Sequence, residues 1–334
     1  MPESARAEGE GLLFIYGTGR CGTTLLQRML DAHPRIRVVP PETRFFLDLA
    51  PRAKGLSDPV APGDLQSYDE IIAANRFLAD AGLADEYRAF VHESPRSTRE
   101  LYEWLVRETT SESEADWLGE KTPQHWRKVD AIAECYPKAR FIHIYRDPRD
   151  VVASLLRQTF WTEHTTSVYR TAKLWPSVMA TAERLTETLG PRRAIEIRYE
   201  TLADEPGATL ETLCAFLDAE FDEAMLRYNQ TTNHGFPEAE MAGKAGALQP
   251  LQNTRHGRYA KFLRPDQIRL VEMIAGERLR QRGYETDPNA AKARHSMSLP
   301  LAWVADASRK LKRSVRKRLG VAAAHPKTPP GTPR

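Results

Sequence analysis

The stretch LLFIYGTGRCGTTLL, residues 12–26, joins a short apolar run to a helical pattern. Residues 12–16 read as a strand and residues 23–32 as a helix. Between them, glycines at 17, 19 and 22 let the backbone turn sharply and approach a ligand closely. A strand, a glycine-rich turn and a helix N-terminus in this order predict an anion site at the edge of a parallel sheet.

The residue types in this turn indicate which class of anion it would bind. The spacing from Gly17 to Gly22 is that of a Walker loop, but Thr23 stands where that loop has its lysine. A Mg²⁺-bound triphosphate is therefore a poor fit, and an anion with less charge on its terminal group fits better. A glycine-rich turn without any ligand is the alternative. The predicted anion-binding residues are Arg20, Cys21, Gly22, Thr23, Thr24 and Leu25.

Short apolar runs alternate with helical patterns along the rest of the chain, which predicts an α/β fold with a central, mostly parallel β-sheet flanked by helices. Residues 36–39 are β-like, and segment 51–115 carries no chemical motif that we can name. Further strands are predicted at 117–119, 140–145 and 194–199, and further helices at 71–80, 97–108, 124–135, 148–158, 168–189, 207–217 and 265–281.

A second anion site is predicted in YRDPRDVVASLL, residues 145–156. A strand ends at Arg146, and Ser154 lies about two turns into the following helix, so both could reach one phosphate. Asp147 is a natural N-cap with Pro148 in the first turn. Asp147 could instead be a Walker B aspartate holding Mg²⁺, and Arg146 could instead form a surface ion pair with Asp147 or Asp150.

These two motifs together resemble a known family. RCGTTLLQRMLDAHP (20–34) and FIHIYRDPRDVVASLL (141–156) are similar to the two signature regions of the sulfotransferases, which use 3′-phosphoadenosine-5′-phosphosulfate (PAPS). The resemblance implies that the first region binds the 5′-phosphosulfate and the second the 3′-phosphate. PETRFF (41–46) and GEKTP (119–123) resemble the tyrosylprotein-type enzymes, and 197–218 resembles a strand–helix of the family. The similarity is patchy from 12 to 285 and absent from 51–110.

The resemblance also implies roles for single residues. Glu42 would be the base that accepts the acceptor's proton, and Lys121 with Arg20 would stabilise the leaving group. Arg44 would orient the acceptor or pair with Glu42. Tyr199 would contact the nucleotide, and Arg255 the 3′-phosphate, with Arg258 as its rival.

Each of these roles has an alternative. Glu42 could cap a helix starting at Thr43, and His33 could be the base in its place. Lys121 could be a surface lysine paired with a glutamate, and Tyr199 a core residue. Arg255 and Arg258 could be solvated loop residues.

The implied reaction is an in-line transfer of a sulfuryl group to a hydroxyl of a phenol or tyrosine, a sugar or a lipid. The transferred group carries less charge than a phosphoryl group, so no metal is required. A P-loop kinase or NTPase and a non-catalytic membrane-associated binding protein are the competing interpretations.

The charge is unevenly distributed. Residues 292–334 hold 11 Lys+Arg and one acid, a net charge of +10, so the other 291 residues carry 37 basic and 44 acidic groups, −7. The body is therefore not expected to bind nucleic acid, whereas the basic pattern of 301–319 could contact a membrane. Three widely spaced cysteines and a polar N-terminus without a signal pattern favour a cytoplasmic location. We expect a flexible segment at 1–11, one domain at 12–290 and a tail at 291–334.

Overall fold

Five strands form one sheet in the computed structural model, which describes residues 9–39, 42–50, 60, 62–110, 115–157, 167–230, 249–251 and 257–289. All pairings are parallel, in the order β2-β3-β1-β4-β5, which confirms the predicted α/β fold. The strands are β1 (Leu12–Gly17), β2 (Ile36–Val39), β3 (Trp117–Lys121), β4 (Arg140–Tyr145) and β5 (Ala194–Arg198).

Strand β1 is buried along its whole length because helices cover both faces of the sheet. Its side chains alternate, so Phe14 packs on one face and Leu13 and Ile15 on the other. On the first face, Phe14 stacks at 5.6 Å between ring centroids on Tyr102, which belongs to the segment inserted between β2 and β3. This segment, for which the sequence offered no role, therefore builds one layer of the core.

The α-helices follow the predicted pattern in part: the helix Ala84–Glu93 was not predicted, and the predicted helix 124–135 is the 3₁₀ turn Pro123–Arg127 followed by the helix Val129–Cys135. They are α1 (Thr23–Asp31), α2 (Leu65–Ala74), α3 (Arg76–Ala81), α4 (Ala84–Glu93), α5 (Thr98–Thr110), α6 (Val129–Cys135), α7 (Pro148–Leu156), α8 (Val168–Ala172), α9 (Leu174–Leu189), α10 (Tyr199–Asp204), α11 (Pro206–Phe216), α12 (Pro265–Ala275) and α13 (Glu277–Gln281). Shorter turns are the π-helical Phe45–Leu49 and the 3₁₀ segments Pro62–Asp64, Pro123–Arg127, Glu223–Arg227 and Arg258–Lys261.

Three breaks have a local cause. The predicted helix 168–189 is two helices that meet at Lys173, because Pro176 cannot donate a backbone hydrogen bond to the preceding turn. Gly276, at φ 61° and ψ −140°, separates α12 from α13. Asn75 ends α2 and caps α3, its side chain accepting a hydrogen bond from the Leu78 N–H.

Two sequence expectations concern parts of the chain outside the described residues. The tail from 291 onward and most of the N-terminal segment belong there, so membrane contact and the domain bounds remain predictions. Within the described residues, no helix is both long and apolar enough to cross a bilayer.

Candidate functional site

The loop after β1 requires glycine at two positions. A Cβ on Gly17 would lie 2.4 Å from the Ile144 carbonyl oxygen, and one on Gly22 would lie 2.4 Å from Cδ2 of Tyr199. Gly22 also has φ 104°, in the left-handed region, and is the N-cap of α1 without a side-chain cap. The loop can therefore pack closely on β4 and Tyr199 while the first N–H groups of α1 lie at its inner edge.

Within the loop, the predicted ligand residues differ in where their side chains lie. The Cys21 thiol is buried and donates to the Thr18 carbonyl oxygen at 2.6 Å, and burial raises its pKa to about 11. Thr23 and Leu25 are also buried, whereas Thr24 is half-buried. Cys21 and Leu25 could therefore meet an anion through backbone N–H groups, while Thr24 keeps partial access to solvent.

The two predicted phosphate motifs meet at Arg20. Its Nε donates to Ser154 Oγ at 3.0 Å, and its carbonyl oxygen accepts a 3.4 Å hydrogen bond from Arg146 Nη1. Burial lowers the pKa of the Arg20 guanidinium, and the like charge of Arg146 lowers it further. A third cation, Arg157 at the end of α7, acts in the same direction, and the sequence motifs did not predict it. The structure thus brings Arg20, Arg146 and Ser154 together.

Tyr199 is the first residue of α10, and it packs against both motifs. Its buried ring lies against Gly22 and under the Arg146 guanidinium, whose Cζ is 4.4 Å from the ring centroid. The next residue, Glu200, completes the Tyr-Glu pair of the strand–helix resemblance, but the sequence predicted no role for it. Its carboxylate accepts from the backbone N–H of Asp147 at 3.0 Å and from the Tyr284 hydroxyl at 2.8 Å. These contacts tie α10 to the turn that follows Arg146.

Asp147 is the N-cap of α7, as predicted, and its carboxylate is bound by Arg149. It accepts from the Arg149 backbone N–H at 2.8 Å and pairs with the Arg149 guanidinium at 2.7 Å. This geometry disfavours the alternative in which Asp147 holds Mg²⁺. Within the described parts of the chain, no group of three or more His, Cys, Asp or Glu side chains could hold a metal ion.

A charged pair lies at the carboxyl end of β3. Lys121 Nζ is 2.8 Å from Glu42 Oε1; the lysine side chain is fully buried and the glutamate side chain is 18% exposed. Lys121 is therefore not a surface lysine. Glu42 is also within electrostatic reach of Arg20, since its charge raises the pKa of that guanidinium against the stronger effect of burial. The register pairs Lys121 with Ile15 of β1, so this pair and the loop share one edge of the sheet.

The contacts in the structure argue against three alternatives for this region: an Arg44–Glu42 pair, Glu42 as a helix cap, and His33 as the base. Arg44 pairs with Asp48 at 2.6 Å instead of Glu42. Glu42 does not cap a helix, because the helical turn begins after Arg44. Both ring nitrogens of His33 contact backbone groups, Nε2 the Glu220 carbonyl oxygen at 2.8 Å and Nδ1 the Arg35 N–H at 3.0 Å, which disfavours His33 as the base.

The chain at residues 257–259, which precedes α12, contacts the site at Asp150. Its carboxylate accepts from the N–H groups of Gly257 and Tyr259, both at 2.8 Å, and lies 3.4 Å from Arg146 Nη2. Arg146 does contact Asp150, as one alternative held, but beside the loop and not as an isolated surface pair. These bonds hold Arg258 near the second motif, whereas Arg255 lies outside the described residues.

Similar proteins were found among solved structures. The sulfotransferase domain of the Synechococcus PCC 7002 olefin synthase matches with a TM-score of 0.58 and 21% identity, covering 80% of this chain and 94% of that one. The sulfotransferase domain from the curacin biosynthetic pathway matches with a TM-score of 0.57 and 19% identity, covering 83% and 99%. At these identities the likeness shows a shared fold.

Curated relatives give a sequence likeness over much of the chain. A protein-tyrosine sulfotransferase of Drosophila melanogaster is 26% identical over 307 residues, which are 90% of this chain and 56% of the relative. Protein-tyrosine sulfotransferase 1 of Danio rerio is 29% identical over 240 residues, 71% of this chain and 58% of the relative. The chain thus spans little more than half the length of these two relatives.

A sequence model of the sulfotransferase family matches residues 13–223, well over half of the 334 residues. This span contains both phosphate motifs and the pair at the end of β3, and it confirms the resemblance read from the motifs. The chain belongs to the sulfotransferase family.

Proposed function

We propose that the protein transfers a sulfuryl group from PAPS to a hydroxyl acceptor. The main support is the meeting of Arg20 and Arg146 at the N-terminus of α1, with Ser154 bonded to Arg20 at 3.0 Å. Burial and then the like charge of Arg146 lower the pKa of Arg20, which means that both disfavour its charged form. A bound anion would stabilise the charged form against both effects. The helix N-terminus adds backbone donors to the same place.

A phosphosulfate suits this site better than a Mg²⁺-bound triphosphate. Thr23 occupies the position of the Walker lysine, and the Asp147 carboxylate is bound by Arg149. The terminal sulfuryl group carries less charge than a terminal phosphoryl group. Arg20 and the backbone N–H groups of α1 would bind the phosphosulfate, and Arg146 with Ser154 the 3′-phosphate.

The base in this proposal is Glu42. The acceptor oxygen attacks sulfur while the bond from sulfur to the bridging oxygen breaks, and adenosine 3′,5′-bisphosphate leaves. The acceptor's proton passes to the Glu42 carboxylate, and Lys121 and Arg20 stabilise the negative charge that grows on the bridging oxygen. The 2.8 Å contact between Lys121 and Glu42 supports placing the base and this cation beside the same reacting group.

For the acceptor we favour a phenol or a tyrosine side chain over a sugar or a lipid. The relatives from Drosophila melanogaster and Danio rerio are named protein-tyrosine sulfotransferases, and PETRFF (41–46), which holds Glu42, resembles that type of enzyme. Arg44 lies two residues beyond the proposed base, with a half-exposed side chain, and we propose that it contacts the acceptor.

Calorimetry and an activity assay test this function. We expect adenosine 3′,5′-bisphosphate to bind more tightly than ATP–Mg²⁺, and labelled PAPS to sulfate a tyrosine peptide or a simple phenol. Arg20→Met should weaken adenosine 3′,5′-bisphosphate binding by about 10–100-fold, because charge-assisted hydrogen bonds are lost. Arg76→Met is the matched control, since Arg76 pairs with Asp80 on the exposed surface of α3.

Two results would count against the proposal. Tighter binding of ATP–Mg²⁺ would favour a kinase or NTPase. Absence of labelled sulfate from peptide, phenol, sugar and lipid acceptors alike would remove sulfuryl transfer as the activity.

A further inference from the structure

A buried carboxylate is linked by hydrogen bonds to the two chain segments that carry the Glu42–Lys121 pair. Glu120 precedes Lys121 in β3, and its side chain is fully buried. Its Oε1 accepts two hydrogen bonds of 2.6 Å, one from the Thr43 hydroxyl and one from the Thr122 hydroxyl. Thr43 directly follows Glu42, so the carboxylate is linked to the segment that bears the proposed base.

The same two hydroxyls also bind the backbone of that segment. Thr122 Oγ1 accepts from the Arg44 N–H at 3.2 Å, and Thr43 Oγ1 accepts from the Phe45 N–H at 3.1 Å. An ionised carboxylate can only accept hydrogen bonds, so it fixes the direction of both hydroxyl protons and leaves their lone pairs for the backbone. Glu120 thereby determines the hydrogen bonding of two successive backbone N–H groups.

This segment needs such support because its backbone is strained. Arg44 has φ 52° and ψ 22°, a left-handed conformation that a residue with a Cβ rarely adopts. Strain of this kind persists where surrounding contacts fix the backbone, and it is frequent at functional sites. Here it turns the chain between Glu42 and the helical turn Phe45–Leu49.

The surroundings of Glu120 favour its ionised form. Burial, the largest influence, would raise its pKa, but the His125 imidazole and the hydrogen bonds from Thr122 and Thr43 together lower it. His125 Nδ1 lies 2.8 Å from Oε2. Tyr102 and Arg44 also lie within electrostatic reach of Glu120.

We propose that Glu120 is a positioning residue for sulfuryl transfer. Through the hydroxyls of Thr43 and Thr122, it holds residues 42–45 against the end of β3 and so fixes Glu42 beside Lys121. It touches neither donor nor acceptor. Its effect on turnover rests on the proposed function, whereas the hydrogen-bonded arrangement itself does not.

The variants Thr43→Val and Thr43→Ser test the arrangement. Valine keeps the shape and removes the hydroxyl; serine keeps the hydroxyl. We expect Thr43→Val to lower kcat about 10–100-fold, because a misplaced base is costly, while the Kd for adenosine 3′,5′-bisphosphate stays within about twofold. Thr43→Ser should recover most of the lost kcat. Thr209→Val is the control, since Thr209 is a buried threonine of α11 whose hydroxyl donates to the Glu205 carbonyl oxygen, one helix turn away.

Hydrogen exchange provides a measurement that does not depend on activity. Exchange at the Arg44 and Phe45 amides, followed in a peptide covering residues 42–50, should be at least about tenfold faster in Thr43→Val than in wild type or Thr43→Ser. Exchange in a peptide covering β1 should not change.

The outcomes separate the two proposals. Unchanged exchange in Thr43→Val overturns the arrangement, and faster exchange with wild-type kcat overturns the positioning role. If wild-type protein sulfates no acceptor, the proposed function fails, and faster exchange in Thr43→Val with recovery in Thr43→Ser still supports the arrangement.

Discussion

The two halves of the candidate site differ in how their charges are arranged: one places like charges together, and the other pairs opposite charges. On the donor side, Arg20 and Arg146 bring like charges together, and the pKa of Arg20 is lowered first by burial and then by this neighbour. On the base side, the buried charge of Lys121 meets the opposite charge of Glu42 at 2.8 Å, and Oε1 of Glu120 accepts hydrogen bonds from two threonine hydroxyls. The donor side is therefore built to gain from an anion, whereas the base side is organised before any ligand arrives.

This comparison predicts that the two sides fail differently. Substitutions on the donor side should mainly weaken nucleotide binding. Substitutions on the base side should mainly lower kcat and leave nucleotide binding unchanged.

The largest effect is expected from Glu42→Gln. The amide keeps the shape of the carboxylate but cannot take up the acceptor's proton, so kcat should fall by about 10²–10⁴-fold. The Kd for adenosine 3′,5′-bisphosphate, measured by calorimetry, should change by less than about threefold. Glu211→Gln, an exposed position in α11, is the control. Turnover within about threefold of wild type in Glu42→Gln would remove Glu42 as the base.

An intermediate effect is expected from Gly22→Ala on the donor side. Its new Cβ would lie 2.4 Å from Cδ2 of Tyr199, at a φ of 104°. The loop must shift away from Tyr199, so we expect a loss of about tenfold in affinity for adenosine 3′,5′-bisphosphate. A change in kcat without a change in affinity would contradict the division between the two sides.

Gly82→Ala provides a matched control for the backbone contribution. Gly82 ends α3 with φ 71°, and its Cβ would have no heavy atom within 4 Å. We expect Gly82→Ala to cost about 1–2 kcal/mol of the free energy of unfolding, from the left-handed backbone alone, with nucleotide affinity unchanged. The loss of nucleotide affinity in Gly22→Ala, which Gly82→Ala should not show, then measures the effect of the close approach of the loop to Tyr199.

The donor side could be predicted from sequence because its information is local. Glycine spacing, an arginine and a helix start lie within ten residues, and Arg146 and Ser154 are set by one strand–helix junction. The sequence also predicted the strands, although β3 extends to Lys121 and β5 ends before Tyr199. Tyr199 begins α10 because the chain turns there to pack its ring on Gly22.

The base side was only partly predictable. Glu42 and Lys121 came from a resemblance, whereas the link from Glu120 to Thr43 joins residues 77 positions apart and depends on how the segment after β2 meets the end of β3. A buried glutamate in a strand gives no periodic signal, and Glu-Lys-Thr reads as a surface sequence. Only the folded structure shows that the Glu120 side chain is fully buried and that its carboxylate meets the Thr43 hydroxyl.

The smallest effect is a pH dependence of stability due to Glu120. Because His125 and the threonine hydroxyls outweigh burial, the folded-state pKa of Glu120 is lowered below the value of an unfolded glutamate, about 4.3. Its carboxylate therefore stabilises the fold above that pH, and this contribution disappears as the pH falls through the folded-state pKa. At pH 7, Glu120→Gln should lower the free energy of unfolding by about 1–2 kcal/mol, since hydrogen bonds to a charge become neutral ones.

Urea titrations of wild type and Glu120→Gln at a series of pH values measure this contribution. The difference between the two proteins should be constant from pH 7 to about pH 5 and should shrink at lower pH, with Glu211→Gln showing little difference throughout. A difference that grows on acidification would mean that burial dominates and that Glu120 is protonated more readily in the folded state. In that case the hydroxyl protons would no longer be directed by a carboxylate, and the base side would lose the preorganisation that distinguishes it from the donor side.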